Sequence, residues 1–267
     1  MSNLLRRLND LPIFDPNRWP YREFIGRATG TIICVGFLVW RLLDFGRYTG
    51  CSFSTFWSDI QSRLGFTTLE PGHIATQIPA LNYLWFGVWA LETGIYLAYI
   101  IAFLTRRPAR SVARGFMEVV FPVIIAGLPF FITMGPALLQ KIGIPVQVHR
   151  GSDTQLLVGG LMMIAGSAIN LIGLLTLRRA FTLMAEARTL IGHGIFRYVR
   201  HPLYAGHFVV FLGSLLINLY WYTIIVYAVF VLGQYTRARI EERKLTAAFP
   251  EYTEYKAKTG MFFPKLW

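Results

Sequence analysis

Charge is scarce in this chain, and acid is scarcer still. Charged residues make up 15% of its 267 residues, with 14 Asp and Glu against 26 Lys and Arg. A soluble domain of this size carries about a quarter charged residues, so composition excludes an ordinary water-soluble globule. Cysteine is nearly absent. Cys34 lies inside an apolar run and Cys51 in the loop after it, without metal-ligand spacing. That leaves two unpaired thiols and no metal centre. Met1–Tyr21 lacks the apolar core and small-residue cleavage site of a signal peptide. The first apolar helix is therefore expected to serve as its own insertion signal.

What is present is long hydrophobic stretches. Hydrophobic residues make up 54% of the chain, and mean hydropathy is +0.47. Charges cluster between the apolar runs, the pattern of a chain whose solvent is lipid. The net charge of +12 does not point to nucleic acid. The basic residues sit at the ends of apolar runs, where they anchor helices and set topology, so no nucleic-acid partner is expected.

Five apolar regions stand out, near Phe24–Phe45, Ala80–Thr105, Gly115–Leu139, Thr154–Leu177 and Leu203–Tyr235. One span needs roughly 20 residues, and the fifth region is too long for a single helix. Its middle reads Ile217-Asn218-Leu219-Tyr220-Trp221-Tyr222, an asparagine among aromatics, which belongs at a membrane interface. A tight helical hairpin turning near Asn218 is expected, giving about six spans. The basic residues agree. Arg6, Arg7, Arg18, Arg22 and Arg27 precede or open the first span, Arg106, Arg107, Arg110 and Arg114 fill the second connection, and Arg178, Arg179, Arg188, Arg197 and Arg200 the fourth. The tail is also rich, while the remaining connections hold only Arg63, Lys141 and Arg150. This rich–poor alternation places both termini in the cytoplasm, as in a protein of a bacterial inner membrane. The expected fold is all-α and polytopic, with a C-terminal helical hairpin and a folded cytoplasmic tail. Residues 1–150 form an N-terminal transmembrane region and 151–267 a C-terminal core.

Several features have two readings. The first connection, Arg47–Pro79, carries Phe53, Phe56, Trp57, Ile60 and Leu64 at helical spacing. It suits an interfacial amphipathic helix or a loop packed over the bundle. Gly159, Gly166 and Gly173 recur every seven residues with Asn170 one turn from Gly166. They make a helix-packing face or a floor for a ligand. Intramembrane charge is costly and usually paired or functional. Arg41 and Asp44 are expected to pair with each other. Glu92, near the centre of the second span, is either neutral or bonded to a neighbouring helix. His207 lies one turn into the fifth span.

The segment that carries chemistry is Gly192-His-Gly-Ile-Phe-Arg-Tyr-Val-Arg-His-Pro-Leu-Tyr-Ala-Gly206. Gly192 and Gly194 allow tight turns, and Pro202 suits the first turn of a helix. Arg200 and His201 then stand at the mouth of a membrane helix whose positive dipole end favours anionic groups. Past the last span comes Arg237-Ala-Arg-Ile-Glu-Glu-Arg243. If the hairpin forms, Glu241 and Glu242 can face the Arg200–His201 corner. The pair is either a salt-bridge network knitting loop to tail or part of a site.

"GIFRYVRHPLYAG", followed by "EERKL…F…YTEY", resembles the isoprenylcysteine carboxyl methyltransferase family. The broader group includes membrane phospholipid N-methyltransferases and bacterial thiol methyltransferases. The resemblance covers roughly residues 159–264. It implies an S-adenosylmethionine site formed by the fourth-to-fifth linker, the hairpin and the tail. It further implies that His193, Gly194 and Phe196 line the cofactor pocket, with Phe196 standing where the family more often has tyrosine. His201, Pro202 and Tyr204 hold the amino-acid and ribose portions, and Glu241 and Glu242 bind a polar cofactor group or position the nucleophile. Arg200 and Arg239, with Glu242, are the catalytic candidates, the arginines neutralising a carboxylate. Tyr252 and Tyr255 pack the tail over the site. The implied acceptor is lipophilic or small (a carboxylate, thiol or amine) and enters from the membrane lipid. A protein partner could dock on the N-terminal spans. Two other readings share the motif: a nicotinamide-dependent membrane reductase, and a non-catalytic membrane subunit that keeps the fold.

Overall fold

The computed structural model describes residues 22–43, 79–133, 135–144 and 151–265. Among them the structure is helical, and β-pairing is limited to two isolated bridges. Helix α1 spans Arg22–Leu43, α2 Pro79–Thr105 and α3 Gly115–Gly127. The short α4 covers Phe130–Thr133 and α5 Gly135–Lys141. Helix α6 spans Asp153–Leu177, α7 Pro202–Ile217, α8 Trp221–Ala248 and α9 Tyr252–Lys258. By length and composition Tyr83–Thr105 and Asp153–Ala180 are long and apolar enough to cross a bilayer, and α3 and α7 are shorter apolar helices. Large side chains such as Ile32, Ile101, Leu175 and Trp221 stand exposed on the helix surfaces. Water would penalise so much apolar surface, and lipid does not.

The hairpin forms where the asparagine and aromatics predict it. Helix α7 ends at Ile217 and α8 starts at Trp221. Asn218 closes the turn by donating its side-chain amide to the Ser214 carbonyl (3.0 Å). The Thr223 hydroxyl accepts from the Tyr220 amide (3.0 Å), satisfying an otherwise orphaned donor at the helix start. The two helices then run back along each other. The Tyr227 hydroxyl donates to the Phe208 carbonyl (3.1 Å), and the Phe211 and Phe230 rings meet edge-on, 5.2 Å apart.

The third apolar region, expected as one span over Gly115–Leu139, is instead broken into α3, α4 and α5. Pro122 lies inside α3, and Pro129 lies between α3 and α4. A proline lacks an amide and crowds the carbonyl four residues back; α3 nevertheless continues past Pro122 to Gly127, and the break falls at Leu128–Pro129.

Helices α6 and α7 pack most intimately, and the glycine stripe is the reason. A β-carbon on Gly166 would stand 2.6 Å from the Gly206 carbonyl oxygen, and one on Gly213 2.6 Å from that of Gly159. Backbone meets backbone here, which only small residues permit. The stripe is therefore a packing face. At the N-cap of α6, Ser152 and Gln155 satisfy each other's backbone amides in a capping box.

Helix α1 lies on α2. The Arg41 guanidinium reaches Glu92 Oε2 at 3.0 Å, so Glu92 is bonded to a neighbouring helix. Asp44, the partner expected for Arg41, lies outside the described residues, as do Cys51 and the amphipathic segment 53–64. Helix α2 packs on α6 through Leu81, Trp85, Val88 and Leu156. The largest core cluster joins Cys34, Ala98, Ala102 and Phe103 from the first two helices to Leu174, Phe181, Phe196, Leu203, Tyr204 and Ala238. The core thus runs across position 150. Lys244 fastens α8 to α3, with Nζ 2.7 Å from Glu118 Oε2 and 2.6 Å from the Val112 carbonyl.

Candidate functional site

The linker between α6 and α7 sets the site. At Gly194 the backbone takes φ +59°, a conformation costly for other residues, and a β-carbon there would also crowd Thr176 at 3.1 Å. A short 3-10 turn, Gly194–Arg197, follows. The chain next pairs with the tail. The Arg200 amide donates to the Gly260 carbonyl (2.9 Å) and the His201 amide to that of Met261 (3.0 Å). Pro202 then starts α7 at its first turn. This pairing draws the linker, the start of α7, the end of α8 and the tail to one point.

Two linked carboxylate centres occupy that point. Glu242 is buried. Its Oε1 accepts from Arg200 Nε at 2.8 Å, and Lys256 Nζ stands 2.7 Å from its Oε2. His201 Nε2 lies 3.5 Å from the same Oε1, long for a hydrogen bond. Burial alone would raise the Glu242 proton affinity. The contacts from His201, Lys256 and Arg200 more than offset it and hold the carboxyl well below the usual carboxylate range. Glu242 is therefore ionised, and a weak proton acceptor.

The second centre is Glu241. It accepts a short hydrogen bond from the Tyr204 hydroxyl and another from Arg237 Nε at 3.1 Å. Arg237 also donates to the Leu183 carbonyl at 2.6 Å, and its guanidinium lies over the Tyr204 ring, 5.1 Å from the centroid. The His201 ring stacks on Tyr204, with centroids 5.2 Å apart and planes 7° from parallel. His201 Nδ1 is 3.9 Å from Glu241 Oε2, so the imidazole stands between the two carboxylates.

The residues singled out in the sequence fall into three groups. Arg200, His201, Pro202, Tyr204, Glu241 and Glu242 come together. Phe196 is buried beside Tyr204 in the core cluster, and its carbonyl accepts from the Tyr255 hydroxyl at 2.7 Å. Tyr252, fully buried, packs under Ala187 and Phe249. His193 and Gly194 stand exposed on the linker surface. Arg239 is exposed on α8 and lines an open cleft of about 230 Å³ with Glu242, Arg243, Thr246 and Lys256. Arg200 is committed to structure as well as to Glu242, because one terminal nitrogen donates to the Lys256 carbonyl at 3.0 Å and to that of Thr259.

Sequence reasoning missed three participants. Arg237 is the arginine at the buried centre, and its spacing of four from Glu241 on a helix was the available signal. Lys256 and Phe181 come from segments whose sequence carries no signature. The Tyr99 ring of α2 packs on Phe181 at 5.1 Å, so an N-terminal helix walls the site. Several buried polar atoms at this end of the fold have no hydrogen-bond partner: His201 Nε2, His207 Nδ1 and Gln234 Oε1. Buried polar atoms are normally satisfied, so these are free to meet a ligand. With the ionised Glu242 and the neighbouring Glu241 carboxylate, they line a polar corner suited to a cationic group.

Comparison with known proteins places this region. Residues 154–251 match the family described as Phospholipid methyltransferase. The Protein-S-isoprenylcysteine O-methyltransferase of Saccharomyces cerevisiae is 30% identical over 115 residues, covering 40% of this chain and 48% of that protein. The chain thus aligns with about half the length of this curated relative. Every carboxylate, arginine and aromatic residue described above from His201 to Glu242 lies within the family match. The C-terminal part of the chain is thus similar to the phospholipid methyltransferase family and to a protein-S-isoprenylcysteine O-methyltransferase.

Proposed function

We propose that the chain is an integral membrane methyltransferase that uses S-adenosylmethionine and acts on a lipophilic or small acceptor reached from the bilayer. The observation that carries the reading is the convergence of Glu241 and Glu242 with His201 and Tyr204, inside the residues matched to methyltransferases. The chain crosses the membrane about six times, α1 to α3–α5 forming the N-terminal region and α6 to α9 the methyltransferase core. Both termini, the linker and the tail face the cytoplasm, as the alternation of basic residues requires.

S-adenosylmethionine, when bound, supplies a methyl group already activated on a sulfonium, so no metal is needed. The chain's own residues bind and orient. Glu241 and Glu242 offer fixed negative charge to a cationic cofactor, and His201, Pro202 and Tyr204 shape its seat at the start of α7. Phe196 lines the apolar side, and His193 and Gly194 form the linker rim. Arg200 holds Glu242 in place. Fixed charges in a water-poor site act more strongly than in water and need no reorganisation. In-line positioning and exclusion of water do the rest.

The acceptor class sets the remaining roles. A carboxylate is already a nucleophile and needs a cation to hold it, which Arg239 can supply because no carboxylate engages it among the described residues. A thiol or amine must lose a proton. Glu242, held ionised by its donors, is too weak a base for that. His207 Nδ1, buried without a partner, is the better proton acceptor.

The test is transfer of radiolabelled methyl from S-adenosylmethionine into the organic-soluble fraction of membranes carrying the protein. Label that appears with the native chain and vanishes with Glu242→Gln supports the reading. Absence of label together with consumption of NADPH by the same membranes would replace it with the reductase reading.

A further inference from the structure

The exposed face of α8 changes character along its length. Trp221, Ile225, Leu232 and Tyr235 recur at helical spacing on one side, with exposures of 74%, 54%, 67% and 47%. This is the side a surrounding lipid would cover. The same stripe continues into Arg239 and Arg243, both exposed. At 1.5 Å per residue, Arg239 lies roughly 10 Å beyond Leu232, about the step from acyl chain to headgroup. Among the described residues neither arginine has a carboxylate or hydrogen-bond partner, whereas Arg200 and Arg237 on the buried side are both engaged.

These two arginines line the open cleft together with Lys256, which arrives from α9. The carboxylate in that cleft, Glu242, is already neutralised by Arg200 and Lys256. The cleft is therefore net positive, is continuous with a lipid-facing stripe, and has two unspent guanidinium groups one helical turn apart. Guanidinium groups bind phosphate oxygens in bidentate geometry.

We propose that Arg239 and Arg243 form a binding site for the phosphate headgroup of an anionic phospholipid in the leaflet beside the tail, with its acyl chains lying along Leu232 and Tyr235. The site lies on the open side of Glu242, with which Arg239 and Arg243 share the cleft, and away from the buried Tyr204–Glu241 pair; a lipid seated there takes Arg239 in place of the carboxylate acceptor considered above. Its occupant is bound as a lipid ligand and undergoes no reaction there.

The test is native mass spectrometry of the detergent-purified full chain, offered equal amounts of phosphatidylglycerol and phosphatidylcholine. Preferential retention of phosphatidylglycerol by roughly twenty-five-fold is expected, about fivefold for each arginine near the surface. Arg239→Gln with Arg243→Gln removes the preference, and the Arg239→Lys, Arg243→Lys pair keeps most of it, which separates a charge effect from loss of fold. Arg243→Gln alone loses about half of the preference in free-energy terms. Equal retention of the two lipids by the native chain overturns the proposal, as does an unchanged preference in the double glutamine variant. Displacement by inorganic phosphate at matched ionic strength overturns it in favour of a free-anion site. Displacement by S-adenosylmethionine overturns it in favour of a cofactor subsite. Lipid retention is read without any methyl transfer, so the result stands apart from the proposed activity.

Discussion

Arg200 donates its Nε hydrogen to Glu242 Oε1 at 2.8 Å across 42 residues of sequence. That bond joins the linker before α7 to the last turns of α8, and Lys256 on the other carboxylate oxygen adds the tail. Three segments distant in sequence thus meet on one buried carboxylate.

Replacing that carboxylate by a neutral amide leaves Arg200 buried without its charge partner. Breaking a buried pair from one side costs about 3–5 kcal/mol. Lys256 is 41% exposed and can be resolvated, so roughly 3 kcal/mol is expected for Glu242→Gln. Thermal unfolding in detergent measures it, and membrane insertion of the variant should be unaffected.

The acid side of the pH profile follows from the same residue. The Glu242 carboxyl is depressed in the folded state and titrates near about 4.3 when unfolded. Its contribution is complete above the unfolded value and is lost as pH falls through the depressed one. Melting temperature should therefore be insensitive to Glu242 from about pH 5 upward, with the loss appearing only below about pH 4. A Glu242-dependent loss between pH 5 and 7 would show that the carboxylate is not held ionised.

Tyr204→Phe removes the hydroxyl donor of Glu241 and keeps the ring that His201 stacks on. A hydrogen bond to a charged group contributes about 2 kcal/mol, and stability should fall by that amount. Cofactor affinity should weaken with it, because Glu241 loses one of the two donors that fix its position. Calorimetry on the variant reads both effects.

Gly166→Ala and Glu92→Gln separate scaffold from site. The added methyl at Gly166 meets the Gly206 carbonyl, and overpacking of this kind costs about 1–3 kcal/mol. Lower stability with unchanged cofactor affinity is expected. Lost affinity at unchanged stability would restore the ligand-floor reading. Glu92→Gln leaves Arg41 facing an amide and should also lower stability alone.

Much of this was legible before any coordinates. Apolar runs bounded by arginines gave the helices, and Asn218 among its aromatics marked the hairpin because an interface needs that mixture. The corner formed by Arg200 and His201 with the two glutamates followed once the hairpin was accepted, and Tyr204 was implied only by the family resemblance. What could not be read was interhelical. Nothing local in sequence links Arg41 to Glu92, because the partners sit on different helices. The break in the third apolar region was available in Pro129, but composition alone made the region look continuous. The choice between Arg237 and Arg239 depended on helix phase. Two residues are enough to turn a side chain from the buried face to the open one, and the motif names both.

The most direct test of the account is calorimetric titration of the detergent-purified chain with S-adenosylmethionine, beside the Glu242→Gln variant. Saturable binding by the native protein and its loss in the variant is the expected result. Absence of binding by the folded native protein, or equal binding by the variant, would contradict the assignment of this carboxylate corner as the cofactor site.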